Sequence, residues 1–228
     1  MITLEEVLYA LGIFIWIIIV VSVISKAVYE IGKKRYKNDY VGIYFARKVI
    51  HMLAGGLAAI LVAMGLFKTP MMPLIMAMVL AFICYWPHHK NKLMYWFQDP
   101  NNTYEVNFCF AWSILITLGW LFANGEHWWF GVVPILFMAF GDGITGIVRN
   151  VVFKRRTKHW IGNLAMFAFC APMGYFLGSF HEIGVLAAFA GSFIEHFEKI
   201  GKYYIDDNVT VPSISFAILV FFTMFKVF

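Results

Sequence analysis

Asp142 lies in the run Gly141-Asp142-Gly143-Ile144-Thr145, and the basic cluster Arg155-Arg156-Thr157-Lys158 follows shortly after it. A carboxylate at the boundary of an apolar span, next to dense positive charge, is what Mg-nucleotide chemistry at a bilayer requires. The acid holds a divalent cation, and the cations neutralise phosphate oxygens. On a helix Asp142, Thr145, Gly146 and Arg149 share one face, spaced by three, four and seven, and the neighbouring glycines leave room for a nucleotide. An Asp142–Arg149 structural pair is the competing reading.

Three further clusters have the same character. Arg47, Lys48 and His51 precede Gly55-Gly56, a pair that permits close approach of another helix. His51 falls about one turn inside the apolar stretch, where it could bond a phosphate or a neighbouring span. Lys158 is the best-placed point charge before the next span. Glu195, with His196 beside it, interrupts an apolar stretch, followed by Glu198 and the loop Asp206-Asp207-Asn208-Val209-Thr210-Val211-Pro212. Asn208 and Pro212 suit a helix start. Glu195 has no such explanation, and a second carboxylate set facing Asp142 would complete a Mg²⁺ site.

The elements that must position these groups are membrane helices. The chain of 228 residues is 61% hydrophobic and 14% charged, which places most of it in lipid. Apolar stretches at 5–25, 47–67, 70–86, 105–123, 128–148, 161–179, 183–200 and 210–228 predict an all-α bundle of about eight transmembrane helices in one domain. Residues 1–44 form an anchor helix plus basic linker, and 45–215 the core. Glu5 and Glu6 stand where a signal peptide needs basic residues, so the first helix is expected to stay. Sixteen of the eighteen Lys and Arg residues fall in the linkers 26–48, 87–104, 149–160 and 199–209. The positive-inside rule makes those linkers cytoplasmic, with both termini outside. Cys84, Cys109 and Cys170 lie in apolar stretches without CxxC spacing and read as core residues.

Taken in order, the four clusters resemble the polyprenol kinase family, which includes dolichol and phytol kinases. Its R-K-x-x-H element is matched by Arg47, Lys48 and His51. Its G-D-x-x-[AT] element is matched by Gly141, Asp142 and Thr145, its late Glu by Glu195, and its D-[DN]-x-x-x-P element by Asp207, Asn208 and Pro212. Where the family has K-[ST]-x-E-G, this chain reads Lys158-His159-Trp160-Ile161-Gly162. The resemblance covers about residues 45–215. It implies transfer of the γ-phosphoryl group of a nucleoside triphosphate, typically CTP, to an isoprenoid alcohol such as dolichol, phytol or geranylgeraniol. The site would face the cytoplasm, from the plasma membrane of a prokaryote or from the endoplasmic reticulum or a plastid membrane of a eukaryote.

On this reading Asp142, Lys158 and Glu195 are catalytic, and Asp142, Glu195 and Asp207 hold Mg²⁺. Arg47, Lys48, His51, Arg149, Arg155, Arg156 and Lys158 bind the nucleotide, while His51, Thr145 and Asn208 meet the alcohol. The expected partners are lipid and nucleotide, without nucleic acid. No GxxxxGK[ST] loop is present. A CTP-dependent cytidylyltransferase making a CDP-activated lipid would need the same cations and metal. A transporter or lipid-binding protein would instead place its polar groups near the midplane, often in repeated halves.

Overall fold

Thr3 starts the first helix with a reciprocal cap. Its hydroxyl accepts from the Glu6 N–H, and the Glu6 carboxylate accepts from the Thr3 N–H, satisfying backbone donors that a helix start leaves open. In the computed structural model, which describes residues 2–153, 157–197, 199–200 and 203–225, helix α1 runs Leu4–Tyr36. It passes well beyond the expected boundary at residue 25. Apart from Gly32, residues 26–36 contain nothing that disfavours a helix strongly. The turn comes at Lys37, with φ 51°, and Asn38, whose side chain accepts from the Tyr40 N–H as α2 (Asp39–Ala63) begins. The expected linker 26–48 is therefore a helical hairpin rather than a loop.

Helices α3 (Met71–His89), α4 (Tyr104–Phe122), α5 (Trp129–Phe153), α6 (Trp160–Phe176), α7 (His181–Ile194) and α8 (Asp207–Phe225) follow. The fold is all-α. A minimal antiparallel ladder of Lys199–Ile200 with Tyr203–Tyr204 is the only strand pairing among the described residues. Among the described residues seven helices are long and apolar enough to cross a membrane.

The seventh expected span, 183–200, is shorter than its sequence suggested. Helix α7 has 14 residues, about 21 Å at 1.5 Å per residue, against roughly 30 Å of hydrocarbon. It stops at Glu195, whose side chain and carbonyl are drawn into a charged cluster. It still makes the return pass between its neighbours. Trp160 at the start of α6 stacks on His196 with centroids 3.8 Å apart, and Gly174 near its end lies against Gly184. Ser215 of α8 donates to the Ala187 carbonyl.

Helix α5 is the centre of the bundle. Val132, Ile135, Leu136 and Met138 belong to a core shared with α1, α2, α3 and α4. Phe130, Val133 and Phe137 belong to a second core shared with α6, α7 and α8. A helix with apolar packing all round is a buried one, so the polar residues in its C-terminal half are held in place from several directions.

Two π-helical segments sit beside the residues of interest. His51–Gly56 interrupts α2, and Phe137–Gly141 interrupts α5 immediately before Asp142. Such insertions re-aim the side chains that follow, and they are frequent at functional sites. The two segments pack against each other through Gly56, where a β-carbon would strike the Phe140 ring.

Candidate active site

Asp142 is buried inside the continuous helix α5, not at its end. Its partner is Lys48 of α2, whose Nζ donates to Asp142 Oδ2. Close approach of α2 to α5 makes this possible: Tyr44 occupies the space above Gly146, where any β-carbon would meet its hydroxyl. Tyr44 in turn lies under Lys48, with Nζ 4.9 Å from the ring centroid. His51 stacks on Phe108 at 4.2 Å. Its Nδ1 lies 3.8 Å from Asp142 Oδ2 and has no hydrogen-bond partner among the described residues.

Glu195 and Asp207 approach Asp142 from α7 and α8. One ligand atom from each of the three carboxylates lies within 4.8 Å of the others. Lys158 is set between two of them, donating 2.8 Å to Glu195 Oε1 and 2.8 Å to Asp207 Oδ2. Burial opposes the Lys158 charge, but the Glu195 and Asp207 carboxylates outweigh it and raise the ammonium above its ordinary range.

The three carboxylates are not equally available. Both Glu195 oxygens accept from Arg149, through Nη1 and Nη2 at 2.9 Å, and they also accept from Lys158 and Asn163. Asp207 Oδ1 is buried and has no partner among the described residues. An oxygen in that state costs free energy unless something binds it, so this donor set fits a hard divalent cation. Asp142 and Asp207 offer the freest oxygens, and Glu195 closes the third side.

Around this cluster opens a polar cleft of about 830 Å³, lined by Tyr44, Arg47, Lys48, Asp142, Lys158 and Asp207 among others. His51 and Asn208 also line it, with the Asn208 Nδ2 donating 3.2 Å to the Tyr104 carbonyl. Arg47 is fixed at the rim, donating 2.6 Å to the Phe97 carbonyl and 3.0 Å to Asn102 Oδ1. A second cavity of about 870 Å³ shares Tyr44, Arg47 and Asp99 with the cleft and continues between the α1–α2 turn and the end of α5.

Two of the sequence expectations change meaning in the fold. Arg149 pairs with Glu195 instead of Asp142, and it also donates to Asn163 Oδ1 and the His159 carbonyl. It is a buried strut whose guanidinium is already committed, although it reaches the wall of the second cavity. Thr145 is buried, and its hydroxyl donates to the Gly141 carbonyl at 2.9 Å. It does not line the cleft. Arg155, Arg156 and Glu198 lie outside the described residues.

Sequence reasoning missed Glu105; it placed Asp206 in the loop before α8 without giving it a role, and nothing in the sequence distinguished His88, beside Pro87, from His89. Glu105 begins α4, accepts 2.6 Å from His88 Nε2 and 2.9 Å from Gln98 Nε2, and stands 3.4 Å from Arg47 Nη2. The rule that selected Asp142, a carboxylate at the edge of an apolar stretch, selects Glu105 as well. Asp206 lines the cleft and accepts 2.7 Å from Asn107 Nδ2. Burial raises its carboxyl above the usual range, and Asp142 adds repulsion.

No protein-family model matches the chain, and neither a curated protein nor a solved structure matches it.

Proposed function

We propose that this protein is a Mg-dependent membrane lipid kinase that transfers the γ-phosphoryl group of CTP, or of another nucleoside triphosphate, to an isoprenoid alcohol. The observation that carries the reading is the alternation of charge in the cleft. Asp142, Glu195 and Asp207 converge within 4.8 Å, with Lys48 and Lys158 bonded among them. Carboxylates to hold a metal and ammonium groups to meet phosphate oxygens are the parts phosphoryl transfer needs, since its catalysis is mostly positioning and electrostatics.

Asp142 and Asp207, closed by Glu195, would hold Mg²⁺, which when bound supplies charge neutralisation across the donor phosphates. Lys48 and Lys158 exchange a carboxylate contact for a phosphate contact as the nucleotide arrives. Arg47 steadies the rim. The acceptor oxygen forms a bond to the γ-phosphorus as the bond from that phosphorus to the β–γ bridging oxygen breaks, releasing the nucleoside diphosphate. The hydroxyl proton passes to His51 Nδ1, the buried nitrogen without a partner at the cleft floor.

The distribution of buried charge also favours an enzyme over a transporter. Among the described residues Lys48, His51, Glu105, Asp142, Arg149 and Glu195 are buried together around the end at which α4 starts and α7 stops, with Lys48, His51, Asp142 and Arg149 reaching it from inside α2 and α5, and Glu6 at the start of α1 is the buried charge apart from them. By the positive-inside rule the charged end faces the cytoplasm, where nucleotides are.

Detergent-purified protein incubated with γ-³²P-labelled CTP or ATP, Mg²⁺ and a panel of isoprenoid alcohols tests the proposal. Label entering a lipid-soluble monophosphate supports it. Label released from CTP as pyrophosphate, with a phosphorylated lipid as acceptor, replaces it with a cytidylyltransferase, and no turnover in either assay removes the enzyme reading.

A further inference from the structure

Directly beneath the polar cleft lies an apolar cavity of about 750 Å³ between α1, α2, α3 and α4. Its walls include Ile17, Ala54, Ala58, Ala77, Leu80 and Trp112. The two spaces meet at Arg47, His51 and Glu105, which line both. Among the described residues these three are the only ionisable side chains of the cavity apart from the thiols of Cys84 and Cys109, and all three sit at its head. Along α2 the cavity reaches from Arg47 to Ala58, eleven residues or about 16 Å at 1.5 Å per residue. That is about half the roughly 30 Å hydrocarbon layer.

We propose that this cavity binds the chain of a single-chain lipid alcohol, with the hydroxyl rising to His51 at the junction. The proposal deepens the kinase reading and rests on it for the fate of the hydroxyl. His51 supplies an observation independent of the cavity's shape: the residue is 6% exposed, and among the described residues its Nδ1 has no partner. A hydroxyl at the junction would satisfy it. The class of lipid follows from the walls. Trp112 Nε1, the indole donor there, is already bonded to the Gly55 carbonyl at 3.0 Å. The ester groups of a diacylglycerol would enter without donors and lose their hydrogen bonds, whereas an alcohol carries hydrocarbon directly below its oxygen.

A second apolar groove, between α4 and α8, decides the matter by contrast. It is lined by Phe110, Ile114, Leu118 and Phe216 among others and shares no residue with the cleft. Its head is closed by Asn107, which donates to Asp206. A chain lying there would have no route for its hydroxyl to the carboxylates.

Because lipid tails already solvate a hydrocarbon chain, the cavity gains little by hydrophobic transfer. Its contribution is alignment and selection. The small side chains Ala54, Ala58 and Ala77 leave the volume, so added bulk there should exclude the chain.

The test is photolabelling of the purified full-length protein, without Mg²⁺ or nucleotide, by a long-chain alcohol bearing a terminal diazirine. Label is expected on segments containing Ile17, Ala58 and Ala77, competed by excess single-chain alcohol and not by diacylglycerol. Ala77→Phe should lower this labelling at least tenfold, and Ala77→Leu less, with Ala77→Leu carrying the test if the larger variant does not fold. Ile114→Phe, in the other groove, should leave it unchanged. Label spread evenly over lipid-facing residues, equal competition by diacylglycerol, or indifference to both Ala77 variants overturns the proposal. Specific labelling in a protein that phosphorylates no alcohol upholds the chain site and removes the kinase reading.

Discussion

Lys48 and Asp142, 94 positions apart, form a charge-assisted hydrogen bond with both side chains less than a tenth exposed. Breaking such a pair strands one buried charge, at a cost of about 3–5 kcal/mol. Lys48→Met should therefore lower thermal stability in detergent sharply, because it leaves Asp142 facing Glu195 and Asp207 without its cation. Asp142→Asn should be milder, since the amide oxygen still accepts from Lys48. Both variants should lose phosphoryl transfer by about 10²–10³-fold, as when a preorganised electrostatic group is removed. Melting curves and initial rates measured together check this. An Asp142→Asn protein that folds and keeps its rate would show that the carboxylate has no part in the chemistry.

Asp207 supports a prediction about metal binding that does not depend on turnover. Its Oδ1 has no partner, but Oδ2 is held by Lys158, and the three carboxylates already face three cations in Lys48, Lys158 and Arg149. A divalent ion alone would meet a site near neutrality, whereas the triphosphate draws the lysines off the carboxylates. Mn²⁺ binding followed by EPR should thus be weak without nucleotide and at least tenfold tighter with a non-hydrolysable one. Asp207→Asn should abolish that gain. Tight Mn²⁺ binding without nucleotide would contradict the charge exchange.

Much of the candidate site was legible in the sequence. Lys48, Asp142, Lys158, Glu195 and Asp207, far apart in the chain, converge because each marks the site end of a helix or a polar break in one. Which cation meets which carboxylate was not legible. Helical spacing offers Arg149 to Asp142, seven positions away, but tertiary approach at Gly146 brings Lys48 to Asp142 and leaves Arg149 for Glu195. The helical hairpin at Lys37 was hidden because basic residues read equally well as a linker or as helix leaving the hydrocarbon. The π segments at His51–Gly56 and Phe137–Gly141 were hidden because a one-residue insertion leaves almost no trace in an apolar pattern. The cavity below His51 belongs to four helices together, so no single segment carries its signature.

Arg149 distinguishes a strut from a nucleotide ligand. Its fork holds both Glu195 oxygens at 2.9 Å, a geometry that lysine cannot reproduce. Arg149→Lys should therefore destabilise the protein by about 1.5–3 kcal/mol, the range for a lost hydrogen bond to a charged group, because lysine keeps the charge but not the fork, while the folded fraction keeps a nucleotide KM within about twofold of wild type. Thermal melting beside steady-state kinetics separates the two effects. A large rise in KM with unchanged melting would return Arg149 to the nucleotide site.

Asp206 provides a pH signature. Burial raises its carboxyl above the ordinary range, with Asp142 adding repulsion, although Asn107 and Asn208 bond to it. The folded state then holds the proton more tightly than the unfolded chain, so the stability cost of the charged group is fully present above the folded pKa. As pH falls through that value toward the ordinary carboxylate range, the cost is relieved. Asp206→Asn removes the titration and can keep both neighbours, accepting from the Asn208 N–H and turning its amide nitrogen toward the Asn107 oxygen. The variant should melt at or above the wild-type temperature at neutral pH, with the difference shrinking as pH is lowered toward 4. Paired melting curves across that range cancel the titrating groups that do not interact with Asp206. A difference that stays constant with pH would mean that Asp206 is not held against its charge.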